Sequence, residues 1–427
     1  MKSISYQKEI PVRYNADVFV AGGGPAGVAA AVTAARLGCS VYLAEFTGCL
    51  GGMGTAGLVP AFMPFTDKVN LLVKGVGKEI YDRYLASGGI PEGIKAEVLK
   101  EVYEDIMVEA GVDFTYFTQV TDVVMKGTSV DTVILSSKSG IFGAKAKIYI
   151  DCTGDGDLSF MAGAEFEKGD KDGSLMPGTL CTLWADVDWK TAKPKQHKKK
   201  LQEAMDDNVF SVKDKHLPGM WQVGDTLAGG NLGHAFSVDG TDEKSLTKAM
   251  IEQRKLMHEF KTFYNKYIDG FENATLVSTA SLMGIRETRR IIGDYVLSLD
   301  DFIKRASFDD EIGRYCYQVD VHAANPDDYD TYHSDFENYK YKPGESYGIP
   351  YRILTPKGLD NLLVAGRCVS ADRYMQGSIR VMPGCFITGQ AAGAASYVAL
   401  KENTTVRDFN IKILQEVLKK VEEVVYE

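Results

Sequence analysis

Val18-Phe19-Val20-Ala21-Gly22-Gly23-Gly24-Pro25-Ala26-Gly27 is the stretch on which the reading of this chain turns. Residues 16–20 are apolar and rich in β-branched and aromatic types, the mark of a short buried strand. From Ala26 to Leu37 the chain is Ala-rich and Pro-free, and it meets a glycine stop at Gly38, so a helix is expected there. Between the two lies Gly22-x-Gly24-x-x-Gly27. This spacing permits a tight turn at Gly22, close backbone approach to a pyrophosphate at Gly24, and close helix–strand packing at Gly27. Pro25 and Ala26 open the helix, whose N-terminus turns unpaired N–H groups and partial positive charge toward the phosphates.

A second strand, Ser40 to Ala44, runs into Glu45 and Phe46. Glu45 stands where a carboxylate accepts hydrogen bonds from an adenosine ribose and repels a 2′-phosphate. A glycine-rich turn alone matches the pattern by chance; the strand before it, the helix after it and the acid downstream make it a dinucleotide site. It does not separate a nicotinamide from a flavin.

The rest of the chain bounds the answer. At 427 residues it exceeds one ordinary core, so two domains or an inserted cap are expected. Composition is globular, 45% hydrophobic and 25% charged, and the net charge of −10 argues against nucleic acid as partner. Lys195–Lys200 is a short Lys-rich stretch read as solvated surface. No run of about 18 apolar residues occurs and Met1–Asn15 is too polar for a secretory signal, so a cytoplasmic protein without membrane partner is expected. Cysteines at 39, 49, 152, 181, 316, 368 and 385 form no CxxC pair, which predicts reduced thiols, no iron–sulfur cluster and no metal.

Gly48 to Gly57 is a glycine-rich loop suited to lie against a ligand. Residues 70–110 have a helical pattern, and Val112–Phe117, Val120–Met125, Thr132–Ser136 and Lys145–Ile150 read as a β-meander. Residues 175–345, with a clear helix at Asp242–Tyr267, suggest an insertion, after which Tyr347–Leu354 and Asn361–Val364 return to strand. The last segment carries Gly366-Arg367-Cys368, then Gly377 to Cys385, then a helix with Gly389, Ala391, Ala392, Gly393, Ala394 and Ala395. Such a helix start suits the negative charge that a reduced flavin develops, and small residues also suit close packing alone.

These blocks, together with Asp151-Cys152-Thr153-Gly154-Asp155-Gly156-Asp157 and Gly284-Ile285-Arg286-Glu287-Thr288-Arg289-Arg290, resemble over nearly the whole chain the FAD-dependent oxidoreductase family. That family is related in fold to the succinate dehydrogenase and fumarate reductase flavoproteins and to the glutathione reductase superfamily. The resemblance implies an α/β fold: a Rossmann-like FAD-binding domain with β-meander, from residues 1–174 and 346–427, plus an inserted α+β substrate domain, residues 175–345. It implies non-covalent FAD held at Gly22, Gly24, Pro25, Ala26, Gly27, Glu45, Phe46, Gly51, Gly52, Met53, Val120, Thr153, Gly154, Asp157, Gly366, Arg367, Gly384 and Gln390. Arg367 departs from the Asp that glutathione reductase relatives usually carry there, which puts a simple ribitol–carboxylate contact in doubt. The histidine used for covalent attachment in some fumarate reductase relatives is missing; Cys49 is the remaining candidate, and a buried small hydrophobe is the competing reading.

For the chemistry, Arg286 and Arg289 or Arg290 would share a face if their segment were helical, and guanidiniums facing a cleft suit a carboxylate or other oxyanion. A structural ion-pair network with Glu287 and Asp294 is the alternative. His234 and His322 are candidates for moving protons, and Arg380 for flavin or substrate contact. Cys385, at the start of the closing helix, is expected to be thiolate-prone. The expected activity is hydride transfer between flavin N5 and a small polar, oxyanionic substrate. An electron-transfer subunit serving a partner protein or small acceptor is a second reading, a nicotinamide dehydrogenase a third, and association into a homo-oligomer stays open.

Overall fold

The computed structural model describes residues 3–193 and 196–423. Strand β1 (Val12–Ala21) leads through the glycine turn into α1 (Pro25–Arg36) and back to β2 (Val41–Ala44), parallel to β1 with Val18 opposite Val41 and Ala21 opposite Ala44. Val18 to Ala21 are buried on both faces, as a parallel strand covered on both sides requires. Helices α2 (Val76–Ala86) and α3 (Ala96–Glu109) cross over to β3 (Asp113–Thr115), which pairs parallel with β2. The Val112–Phe117 run therefore extends the parallel sheet and is no part of the meander, because a two-helix crossover delivers it beside β2. The meander proper is β4 (Gln119–Lys126), β5 (Ser129–Ser137) and β6 (Gly140–Asp151), antiparallel throughout, with β6 returning parallel beside β1.

After the short α4 (Asp157–Met161) and β7 (Phe166–Lys168), the chain builds a second layer from β8 (Thr182–Ala185), α5 (His197–Asp206), β9 (Gly219–Gln222), β10 (Ala228–Asn231), α6 (Glu243–Tyr267) and β11 (Thr275–Thr279). Its strands form an antiparallel sheet in the order β11-β8-β10-β9. Helix α6 starts where the Asp242 carboxylate accepts a hydrogen bond from the Ser245 N–H, 2.7 Å. Its Ala249, Gln253, Met257, Phe260 and Tyr264 recur every three or four residues and so bury one face. Trp184, Phe263, Tyr264 and Phe271 fill the core beneath. Of the Lys-rich stretch, Lys195 lies outside the described residues, while Lys198 and Lys199 are exposed on α5.

The chain then adds β12 (Arg289–Ile291), paired with β7, α7 (Leu299–Lys304), β13 (Glu311–Tyr315), α8 (Tyr329–Asn338) and β14 (Tyr347–Pro350), paired with β13. Ile291, Leu297, Phe302, Ile312 and Tyr315 pack into the main core with Val18–Ala21, not into the second one. Strand β15 (Leu362–Val364) joins the main sheet beside β6, and α9 (Arg373–Ile379), α10 (Met382–Glu402) and α11 (Ile411–Glu423) close the chain. Helix α10 lies against α1 so tightly that a Cβ at Gly389 would stand 2.1 Å from the Ala26 carbonyl oxygen, and one at Gly393 2.3 Å from that of Ala30. The small residues thus hold the first and last segments of the sequence in one layer. Among the described residues no helix is long and apolar enough to cross a membrane.

Candidate active site

A cavity of about 1090 Å³ runs between the glycine turn and the second layer. That exceeds the roughly 300–1,000 Å³ of ordinary ligand pockets, leaving room for a dinucleotide and a substrate together. Gly24, Pro25 and Ala26 at the start of α1 and Val381, Met382 and Cys385 at the start of α10 line it, so two helix N-termini face the same space. Neither helix carries an acid in its first turn, leaving both positive ends open to an anionic ligand.

The three motif glycines divide the labour. Gly22, at φ +92°, makes the turn, and a Cβ there would stand 2.7 Å from the Cys152 carbonyl oxygen. At Gly27 a Cβ would stand 1.9 Å from the Gly22 oxygen, so this glycine lets the helix sit on the turn, and it does not line the cavity. Gly24 alone opens onto empty space, with no atom within 4 Å of a Cβ built on it. A backbone that is bare on its cavity side and stands at a helix N-terminus fits a pyrophosphate.

Glu45 is buried at the end of β2. Its Oε2 accepts from the Gly23 N–H at 2.7 Å, and its Oε1 from the Thr47 N–H and hydroxyl, each 2.7 Å. Oε1 thus uses both of its lone pairs and Oε2 retains one, in a residue that lines the cavity. Phe46, Gly52, Met53, Val120, Thr153, Gly154, Asp157, Gly366 and Arg367 also line the cavity. Gly51 does not: at φ +93° it packs on the Tyr103 ring and so shapes the loop. Gly384 and Gln390 are likewise off the cavity. Gly384 sits on the Ile379 carbonyl, and the Gln390 Oε1 accepts from the Val76 N–H at 2.9 Å, capping α2. Cys49 is also off the cavity wall, with its thiol toward Thr55, and is not placed for covalent attachment.

Arg367 is committed to the protein. Its Nε donates to the Gly154 carbonyl at 2.9 Å, its Nη1 to the Ile285 carbonyl at 2.7 Å and its Nη2 to Asp155 Oδ1 at 2.7 Å. It clamps the loop after β6 to the extended segment that carries Arg286. Asp157, next in that loop, pairs with Arg289 at 2.8 Å, yet burial and the neighbouring carboxylates of Asp155 and Asp151 push it up to about 6.

The arginine cluster is extended chain, not helix, and its members part company. Arg290 and Arg373 both bind the fully buried Glu287, which also accepts from the Met176 N–H at 3.0 Å. Asp294 pairs instead with Arg407 at 2.8 Å. Arg289 stacks on the Phe160 ring and does not reach the cavity. Only Arg286 faces it: its Nη1 donates to the Pro177 carbonyl at 2.8 Å and to Thr179 Oγ1 at 2.9 Å, while Nε and Nη2 donate to no described residue. Burial and the charge of Arg380 bring it down to about 10, still cationic at neutral pH.

His234, His322 and Arg380 meet on the same wall. His234 Nε2 lies 2.9 Å from His322 Nδ1, Asp214 Oδ2 lies 3.0 Å from His234 Nδ1, and Asp320 Oδ1 lies 3.2 Å from His322 Nε2. Asp320 also binds Arg380, Nη2 to Oδ2 at 3.1 Å. Burial works to raise the Asp320 carboxyl, but His322, Arg380 and Arg286 hold it well below the usual carboxylate range. Burial and Arg286 bring His322 down to about 3 despite Asp320, and burial lowers His234 despite Asp214. Asp214, Asp320 and His216 were not legible as site residues; the only local hint is the Asp320-x-His322 spacing. Cys385 corrects an expectation. It lines the cavity at a helix start, but burial pushes its thiol up to about 12 against the charges of Arg367 and Arg380, so it is no thiolate.

A model of the FAD dependent oxidoreductase family matches residues 17–418. No curated protein matches the sequence. Among solved structures, the chain is similar to a geranylgeranyl bacteriochlorophyll reductase-like protein from Thermoplasma acidophilum, at 13% identity and TM-score 0.48, over 96% of this chain and 84% of that one. It is also similar to p-nitrophenol 4-monooxygenase from Pseudomonas putida, at 11% identity and TM-score 0.46, over 96% and 86%. The family match spans nearly the whole chain, including the bare glycine cradle and both helix starts that face the cavity: the protein belongs to the FAD-dependent oxidoreductase family, and its cofactor is FAD.

Proposed function

We propose that this enzyme moves a hydride between its flavin and a small polar substrate bearing a carboxylate or comparable oxyanion. Bound FAD supplies the N5 position that accepts or delivers the hydride. The glycine turn, Glu45 and the two helix starts hold and orient the dinucleotide; the substrate wall comes from Arg286, His234, Asp320 and His322 together with Arg380 of the closing segment, while Ile291 to Tyr315 pack with the cofactor-side core. The single observation that supports the substrate class is Arg286. It is a buried guanidinium with one nitrogen anchored to Pro177 and Thr179 and its remaining donors directed at no acceptor among the described residues. A fixed cation of this kind is costly to bury without an anion, and a bidentate carboxylate satisfies it. Arg380, steadied by Asp320, adds a second positive group on the same wall.

Anaerobic mixing of the flavin-loaded protein with a panel of hydroxy acids, amino acids and matched neutral alcohols, followed by flavin bleaching, tests this. Bleaching by acids and not by their amides or alcohols is expected, with R286K raising KM at least tenfold. Bleaching that is indifferent to the charge of the substrate overturns the reading. Turnover only when a second protein is supplied supports the electron-transfer role instead.

A further inference from the structure

We propose that His216, His234 and His322 form a binding site for one divalent transition-metal ion on the wall of the cofactor cavity. One ligand atom from each of the three imidazoles lies within 4.8 Å of the others. The three residues come from three loops, before β9, after β10 and after β13, and converge only in the fold.

The arrangement of the ring nitrogens carries the argument. Asp214 Oδ2 lies 3.0 Å from His234 Nδ1 and Asp320 Oδ1 3.2 Å from His322 Nε2, so these two nitrogens face carboxylates. The other two nitrogens, His234 Nε2 and His322 Nδ1, face each other at 2.9 Å and share one hydrogen bond, whose proton a metal ion would displace. A metal ion takes imidazoles through their unprotonated nitrogens, and the ligand atoms gathered here are close enough for one ion to draw on all three rings. Each of the two facing histidines already has an outer carboxylate, the arrangement that orients metal-ligating histidines.

His216 supplies a third donor. Its Nε2 is buried and has no hydrogen-bond partner among the described residues, and its backbone N–H is tied to Asp214 Oδ1 at 2.9 Å. Its ring lies parallel to that of His234, centroids 4.5 Å apart, so it must turn about its Cβ–Cγ bond to join the other two. Three neutral nitrogen ligands suit zinc, iron, nickel or copper, and leave coordination positions open toward the cavity. The local charges of Asp214 and Asp320 are balanced by Arg286 and Arg380. An added ion therefore leaves this wall cationic and favours an anionic ligand. Resting on the hydride-transfer reading, this narrows the substrate to acids with a neighbouring hydroxyl or carbonyl oxygen, the oxygen on the metal and the carboxylate on Arg286.

The test is zinc titration of the flavin-loaded protein after exhaustive chelation, with bound zinc measured after desalting. About one zinc per chain is expected, with binding weakened at least tenfold in H234A and H322A, and less severely in H216A. Zinc that is not retained, or is retained equally by the H234A/H322A double variant, overturns the site. Should those variants fail to fold, the cobalt-loaded wild-type protein decides: thiolate-to-cobalt charge-transfer bands refute histidine ligation, and d–d bands without them support it. Flavin content and acid-dependent bleaching are read on the same samples. Failure of the metal site with bleaching intact is thereby distinguished from failure of the hydride-transfer reading.

Discussion

Gly24→Ala separates a cavity-facing glycine from two that serve the fold. Gly24 is extended, at φ −67° and ψ −177°, a conformation alanine adopts freely, and its Cβ meets nothing within 4 Å. The apoprotein should therefore melt within about 0.5 kcal/mol of wild type, as a surface substitution does. The methyl group instead occupies the space where the pyrophosphate must approach the backbone. If relieving that contact costs the roughly 1–3 kcal/mol of an overpacked methyl group, FAD affinity falls about 5- to 150-fold. Gly22→Ala behaves in the opposite way. A left-handed residue with a Cβ costs roughly 1–2 kcal/mol before its clash with the Cys152 oxygen is counted, so the apoprotein itself is weakened. Gly27→Ala, with its Cβ 1.9 Å from a carbonyl oxygen, must move the helix and should destabilise most. Urea midpoints of the apoproteins and FAD titration by fluorescence quenching measure both effects. The reasoning fails if Gly24→Ala loses as much apoprotein stability as Gly22→Ala, or binds FAD within twofold of wild type.

Three further outcomes follow from the surroundings of the site. Glu287→Gln leaves Arg290 and Arg373 without their shared buried partner and should lower the stability by roughly 3–5 kcal/mol, read from the urea midpoint; a change below about 1 kcal/mol contradicts the network. Cys385, with its thiol near 12, should resist iodoacetamide at pH 8 in the folded apoprotein, and mass spectrometry showing prompt alkylation there would contradict its burial. Asp157, raised to about 6, keeps its proton in the folded chain at a pH where the unfolded chain has released it. Its contribution to stability is therefore complete below about pH 4 and lost as pH rises through 6. Asp157→Asn should flatten that part of the apoprotein's pH–stability curve, and an unchanged slope counts against the shift.

What was legible in the sequence is what local periodicity and glycine spacing encode. The β1–turn–α1–β2 unit, α6 and the closing helix all announce themselves within a dozen or two residues, because burial of one face or one strand leaves a repeating pattern. The meander was legible as strands but not as pairing: β3 has the composition of its neighbours, and only the parallel register with β2 shows which sheet edge it extends. Gly384 and Gln390 show the limit of transfer by motif. Both stand in the right block, yet one packs on a carbonyl and the other caps α2. The wall bearing Arg286, His234, His322 and Arg380 was legible as single candidates but not as contacts, for a different reason. Arg286 meets Thr179 across 107 residues, His234 meets His322 across 88, and Asp320 meets Arg380 across 60. No window on the sequence holds both partners.

The arginine at 367 follows from the same geometry. An acid at this position, as the glutathione reductase relatives usually have, would face the carboxylates of Asp155 and Asp157 in the loop after β6. Like charges there would repel unless a donor intervened. With arginine, the acid is supplied by the loop and the donor by the strand-to-helix turn, and a second nitrogen of the same guanidinium reaches the Ile285 carbonyl beside Arg286. One guanidinium thus ties the cavity-lining loop after β6 to the segment that bears the cavity-facing Arg286. Replacing it with aspartate would leave Asp155 with the Thr288 hydroxyl but no guanidinium, and would remove one of the ties that hold the Arg286 segment. Arg367→Lys, which keeps the charge but cannot span Gly154, Ile285 and Asp155 at once, should therefore impair substrate-dependent flavin bleaching more than FAD binding itself.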